Sequence, residues 1–262
     1  MFLKNYKPKT PSLRFKKNIY LMSPFFKKEN IFFLKNKNKS GRSKIGNIIL
    51  NNRGFNKYNK FISIDINRNK LTNLAIITSL NYLNKNSCFI GLIKYANNST
   101  SYIKLSNGLF IGDYTKSIDI SLKYSYNYKN ILGSYIILNL APKNCVFSNI
   151  VASNKNKSIY AKSAGTYLSI YRKIKELNIF ILNLPTGSKK YFNGNSRATV
   201  GRNSNFLNKF ICIGKAGINV NKGFRPSVRG IAMNPVDHPH GGRTKTNQPE
   251  MSPWGWVTKK NK

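Results

Sequence analysis

Hydrophobic positions along this chain alternate with polar ones over short distances and never settle into a long helical period. In FISIDI (residues 61–66), Ile62, Ile64 and Ile66 alternate with Ser63 and Asp65, the period-two signature of a strand with one buried face. LTNLAIITS (71–79), CFIGLIKY (88–95) and SYIKL (101–105) follow as β-branched or aromatic runs split by Asn-rich turns, and Asn107 with Gly108 adds another turn signal. A second group starts near residue 131 with ILGSYIILNL, CVFSNIV, GTYLSIY and LNIFILNL, again short and punctuated by Gly, Pro and Asn. The pattern predicts an all-β chain with two small barrels in tandem, over residues 61–130 and 131–201. SIYRKIKEL (169–177) admits a short helix, but its β-branched content and the nearby Gly165 favour strand plus turn.

On either side of these runs the pattern dissolves. Residues 1–60 hold 16 Lys and Arg against one acid, Glu29, with Pro, Asn, Gly and Ser interleaved, and read as an extended basic arm. Residues 202–262 are rich in Gly, Pro and Arg, with glycines at 214, 217, 223, 230, 241 and 242 in the stretch from 214 to 242 alone. Glycine lets a backbone approach another surface closely and proline keeps it extended, so this tail is expected to become ordered against a partner.

Composition indicates what that partner is. Lys and Arg number 45 against 7 Asp and Glu, a formal net charge of +38 that would repel itself in a compact chain left alone. Nucleic acid absorbs many cations and rewards them through counterion release, whereas an acidic membrane needs only a short basic patch. No apolar run approaches the ~18 residues of a membrane helix. The chain is still 40% hydrophobic and 13% aromatic, enough to build real cores. Cys88, Cys145 and Cys212 lie far apart without CxxC spacing, which argues against a zinc module or disulfide scaffold and for buried small hydrophobes. Lys outnumbers Arg 35 to 10, and Asn, Ile, Tyr and Phe are abundant, all residues with A/T-rich codons. Against that bias, Arg197, Arg202, Arg225, Arg229 and Arg243 fall within 47 residues, where the planar guanidinium fork rather than charge alone is in demand.

Both histidines sit in NPVDHPHGG (234–242), and three readings compete there. As a metal site, His238 and His240 are separated by Pro239 and no third histidine exists. As a catalytic site, Asp237 and His238 are sequence neighbours whose side chains diverge in extended backbone, and no G-x-S-x-G elbow occurs. GKAG (214–217) is too short for a phosphate loop, leaving Lys215 as a plain phosphate contact. The favoured reading is RNA recognition, with imidazoles stacked on bases or bonded to ribose and phosphate. A turn capped against its own protein remains the alternative. No catalytic residue, metal or cofactor is expected.

VRGIAMNPVDHPHGG followed by SPWG (252–255) strongly resembles the large-subunit ribosomal protein two family. The likeness continues through KPKTPSLR near the start, KSGR (39–42), the I-D-x-x-R-N-K pattern (64–70), SAGTY (163–167), RATVG (197–201) and GKAG. The resemblance implies an OB-like barrel followed by an SH3-like barrel, with long extended N- and C-terminal segments embedded in large-subunit rRNA. It implies a structural role and not an enzymatic one: folding the rRNA, supporting subunit association, and placing His238 near the peptidyl-transferase region as a positioning residue. Implied partners are large-subunit rRNA, neighbouring ribosomal proteins and a small-subunit contact at the subunit interface, with no membrane segment. Motif matches and arginine clustering nominate Lys39, Arg42 and Arg53 in the arm as rRNA-binding, with Arg68, Lys70, Lys162, Ser163 and Arg197 in the barrels. In the tail they nominate Arg202, Lys215, Arg225, Arg229, Asn234, His238, His240, Gly241, Gly242, Arg243 and Trp254.

This chain departs from the family pattern in three places. GGRTKTNQPEMSPWG replaces the usual G-E-G-R after the first two glycines, RGFNK (53–57) replaces a glycine-rich run with histidine, and the basic tail beyond the WG pair is short. Such erosion, together with A/T-rich usage, points to a mitochondrial member made inside the organelle, ahead of a plastid or A/T-rich bacterial one. The basic start is expected to stay in the mature chain, since Pro8 and Pro11 interrupt the amphipathic helix of a transit peptide.

Overall fold

The structure, a computed structural model, describes residues 2–20, 33–35, 39–54, 60–68, 74–83, 86–117, 132–142, 144–152, 157–174, 176–242 and 249–259. The leading residues of two expected runs, 71–73 and 131, lie outside them. The chain forms two compact units, one from residues 1–36 and 60–214, the other from 37–59 and 215–262.

In the larger unit the basic arm begins as a hairpin. Strands β1 (Phe2–Asn5) and β2 (Lys17–Tyr20) pair antiparallel around a single-turn helix, α1 (Pro11–Arg14). Lys17 then exchanges backbone hydrogen bonds with Cys212, at 2.9 and 3.1 Å, so the arm is tied to the segment that leaves the second sheet. Strand β3 (Phe33–Lys35) pairs with β4 (Lys60–Ile62). FISIDI therefore forms a strand only at its start. Ile62 at the end of β4 and Ile64 beyond it pack on a core of Leu83, Cys88, Ile90, Leu92 and Tyr102, while the Asp65 N–H donates to the Tyr102 carbonyl at 2.8 Å.

The first barrel sheet holds β5 (Leu74–Leu83), β6 (Cys88–Tyr95), β7 (Thr100–Lys104) and β8 (Tyr114–Lys116), all antiparallel in the order β7-β6-β5-β8. Strand β5 alternates, burying Ala75, Ile77 and Ser79 while Leu74 and Ile76 face out. Strand β6 is central and buried on both faces, between the Leu92 cluster and a second cluster around Ile77, Phe89, Ile93 and Ile103. That explains why CFIGLI reads as a continuous apolar run rather than an alternating one.

The second sheet has seven strands: β9 (Tyr135–Ile137), β10 (Val146–Val151), β11 (Ser158–Tyr160), β12 (Leu168–Ile174), β13 (Ile179–Asn183), β14 (Lys189–Asn193) and β15 (Arg197–Val200). They run antiparallel in the order β14-β13-β12-β10-β15-β9, with β11 on β10. Phe147, Ile150, Leu168, Phe180, Leu182 and Val200 form its core. The all-β reading holds, with sheets consistent with an OB-like and then an SH3-like barrel. Residues 169–174 are strand and 176–177 turn, as favoured. Cys88 and Cys145 are buried, and burial pushes both thiols up; Cys212 is half-buried.

Among its described residues the smaller unit has little regular structure besides a short helix, α2 (Ala216–Asn221). Residue 53 of the arm pairs antiparallel with Phe224 of the tail. Among the described residues no helix is long and apolar enough to cross a membrane.

Candidate nucleic-acid interface

Arm and tail meet in the smaller unit through a single antiparallel bridge, Arg53 to Phe224, closed by two hydrogen bonds. The Gly54 N–H donates to the Gly223 carbonyl and the Arg225 N–H to the Asn52 carbonyl, both at 3.0 Å. The Arg53 guanidinium lies 4.2 Å from the Phe224 ring centroid, and the Arg225 stem rests where Gly54 lacks a Cβ. Two arginines distant in sequence thus become neighbours, both exposed. Arg42 is exposed in a tight loop, its Nη1 donating to the Gly46 carbonyl at 3.0 Å. Lys39, Lys215 and Arg229 are exposed as well.

The histidine motif closes on itself as a loop from Met233 to Gly242. The Asp237 and His238 N–H groups donate to the Asn234 carbonyl, Gly241 to His238, and Gly242 to Met233. A Cβ at Gly241 would collide with the Asn234 backbone, and Gly242 has φ +99°, so both glycines are required by geometry. His238 is buried, its ring packed where Gly230 has no side chain. Its Nδ1 accepts the His240 N–H at 3.0 Å, which leaves the ring proton on Nε2. His240 is half-buried; its Nε2 accepts the Met251 N–H at 3.1 Å, and the two ring centroids are 4.7 Å apart. Among the described residues both imidazoles take backbone partners, and the Asp237 carboxylate engages neither ring. Trp254 and its neighbour Trp256 stand 65% and 76% exposed in a turn where the Ser252 hydroxyl accepts the Trp256 N–H.

The barrel residues behave differently. Arg68, expected at the rRNA surface, is buried with φ +44°. Its Nη1 donates to the Gly133 carbonyl at 2.8 Å, its backbone N–H donates to Asp65 Oδ1 at 2.9 Å, and its guanidinium lies 5.8 Å from the Tyr135 centroid. Burial lowers its pKa, opposed by Tyr95, Tyr135 and Asp65. It ties the segment after β4 to the turn before β9. Arg197 is half-buried on β15. Arg202, the first residue of the tail, likewise turns to the protein, donating from Nε to the Gly165 carbonyl at 2.7 Å and facing the Tyr167 and Phe206 rings.

The SAGTY loop is held from below by a polar chain that sequence reasoning missed. Lys104 Nζ donates to Asn149 Oδ1 at 3.1 Å, Asn149 Nδ2 to Asn203 Oδ1 at 2.9 Å, and Asn203 Nδ2 to the Ala161 and Ser163 carbonyls at 2.6 and 3.1 Å. All three side chains are buried, so the exposed Lys162 and Ser163 are presented on a pre-ordered loop, which lowers the entropy cost of binding. The signal for this chain lay in Lys104 and Asn149 within apolar strands, which periodicity treats as noise, and in Asn203 beyond β15, where no period applies. Lys70 and Arg243 lie outside the described residues.

Two family models match the chain: Ribosomal Proteins L2, RNA binding N-terminal domain, over residues 29–117, and Ribosomal Proteins L2, C-terminal domain, over residues 132–255. A relative from Reclinomonas americana, large ribosomal subunit protein uL2m, is 36% identical, covering 99% of this chain and 92% of the relative. The uL2 protein of Ehrlichia canis is 35% identical, covering 85% of this chain and 78% of its own length. The uL2m protein of Paramecium tetraurelia is 33% identical, covering 75% and 80%.

Proposed function

Because the chain belongs to the ribosomal protein L2 family, we propose that it is a structural constituent of the large ribosomal subunit that binds large-subunit rRNA and contributes no catalytic residue. The observation that carries this reading is the charge of the smaller unit. Lys39, Arg42, Arg53, Lys215, Arg225 and Arg229 are exposed there, while Asp237 and Glu250 are its only acids in sequence. Such a surface is complementary to a phosphate backbone.

The arm (1–60) and tail (202–262) then run into rRNA, and the barrels present the loop of Lys162 and Ser163. His238 acts by setting the shape of the 233–242 loop near the peptidyl-transferase region, and the peptide-bond chemistry stays with RNA. Neighbouring ribosomal proteins and a small-subunit contact complete its partners. Relatives from mitochondria and A/T-biased residue usage support a mitochondrial ribosome as its location.

The test is co-sedimentation of a tagged chain with large subunits from isolated mitochondria. RNase should release it and DNase should not. Release by DNase alone would favour a DNA-architectural protein and overturn the proposal.

A further inference from the structure

The second barrel presents an outward face that the arm, the tail and the 233–242 loop do not account for. Strands β12, β13 and β14 are joined in a register that puts Ser169, Asn183 and Lys189 in one row, Arg172, Ile181 and Tyr191 in the next, and Ile174, Ile179 and Asn193 in the third. The alternate rows carry the buried Leu182, Phe180 and Phe192, so the first three rows point away from the core. The register slips between Ile170 and Arg172, which inserts Tyr171 as an extra residue. Its ring lies outward, with Lys189 Nζ 3.5 Å from its centroid. A β-bulge is a common device for re-aiming one side chain beside a binding surface.

The result is a sheet face with two tyrosine rings, Tyr171 55% and Tyr191 68% exposed, set beside Arg172 and Lys189. Strand β14 lies at the end of the strand order, so among the described residues no strand pairs with its outer edge. Glu176 is the one acid in the sequence between residues 120 and 236. Cations beside exposed aromatic rings on a sheet suit a polyanion whose flat groups stack: phosphates meet the cations and bases meet the rings. Lys189 occupies one face of the Tyr171 ring; an acidic protein segment would satisfy the charge but leave the opposite face and the Tyr191 ring unused.

We propose that the β12–β14 face is a stacking platform for unpaired RNA bases, with Tyr171 and Tyr191 as the stacking groups and Arg172 and Lys189 as phosphate contacts. It rests on the RNA-binding reading above and adds to it a single-strand site on the second barrel. The rings are exposed, so their replacement does not disturb the core.

The experiment uses the full chain with two probes, an oligouridylate and an RNA duplex of equal length, at one salt concentration. Replacing both tyrosines, Tyr171→Ala with Tyr191→Ala, should weaken oligouridylate binding by about tenfold or more, from typical base–aromatic stacking. Duplex binding should not change, and Tyr171→Phe with Tyr191→Phe should bind oligouridylate as the parent does. Photo-crosslinking of purified large subunits should also place RNA on the peptide holding Tyr171 or Tyr191. Equal binding by the alanine pair, equal loss on the duplex, or crosslinks from this peptide to protein alone would overturn the platform. A parent chain that binds neither probe would instead overturn the RNA-binding reading itself.

Discussion

His238 illustrates how much of a residue's role depends on which ring nitrogen is occupied. Its Nδ1 is committed to the His240 N–H inside the loop, and its ring fills the space left by Gly230. Asparagine can place its Oδ1 near the position of Nδ1, whereas glutamine reaches toward Nε2. His238→Asn should therefore keep most large-subunit incorporation, and His238→Gln and His238→Ala should lose more, by quantitative mass spectrometry of purified subunits. The reverse order for Asn and Gln would make an outward Nε2 contact the important one. Gly230→Ala tests the same packing from the other side. Its Cβ would stand 2.6 Å from the ring Cε1, so the ring must move, and incorporation should fall as for His238→Ala. Sequence alone marked these positions through the resemblance, but the backbone partners of the two rings come from the loop's closure.

At the scale of elements, the joint before β9 carries the clearest energetic consequences. Arg68 bonds the Gly133 carbonyl from a buried position, so Arg68→Met leaves that acceptor unpaired and should cost about 2–3 kcal/mol in urea unfolding. A change within error would mean that water replaces the guanidinium. Tyr135, at the start of β9, has its phenol pushed up to about 12, first by burial and against the pull of Arg197 and Arg68. The fold favours the protonated phenol, so this contribution is intact below the unfolded value near pH ~10 and is lost as pH rises toward the folded value. Stability should fall by about 2–3 kcal/mol over that window on this account. Tyr135→Phe should make the fall shallower without abolishing it, since burial also raises Tyr95. Element existence was well marked in sequence for β5, β6, β7, β10, β12 and β13. Strands β8, β11, β14 and β15 were not marked. They are short, and KKYFN on β14 shows one buried side chain, Phe192, among exposed ones, too little for a period to register.

At the scale of the whole molecule, a net charge of +38 makes salt the main control on binding. Each neutralised phosphate adds up to about −0.9 to the log–log salt slope in duplex regions. Filter binding of the full chain to its large-subunit rRNA should accordingly weaken steeply between low and physiological salt, and a flat response would contradict phosphate contact as the main source of affinity. Arg225→Ala should reduce that slope by about one. Arg68→Met should leave it unchanged, because the guanidinium is spent inside the fold. The all-β class, the basic arm and tail, the polyanion partner and the family resemblance were determined by sequence alone, because strand period, charge and a long motif are local properties that survive without neighbours. Tertiary structure alone decided which cations remain free. Arg68 and Arg53 are chemically equal in sequence, yet one is buried against Gly133 and the other is exposed on Phe224. It also decided that Tyr171 joins Tyr191 on one face and that Asn203 reaches the SAGTY loop, because register, a bulge and long-range packing bring together residues that no sequence spacing relates.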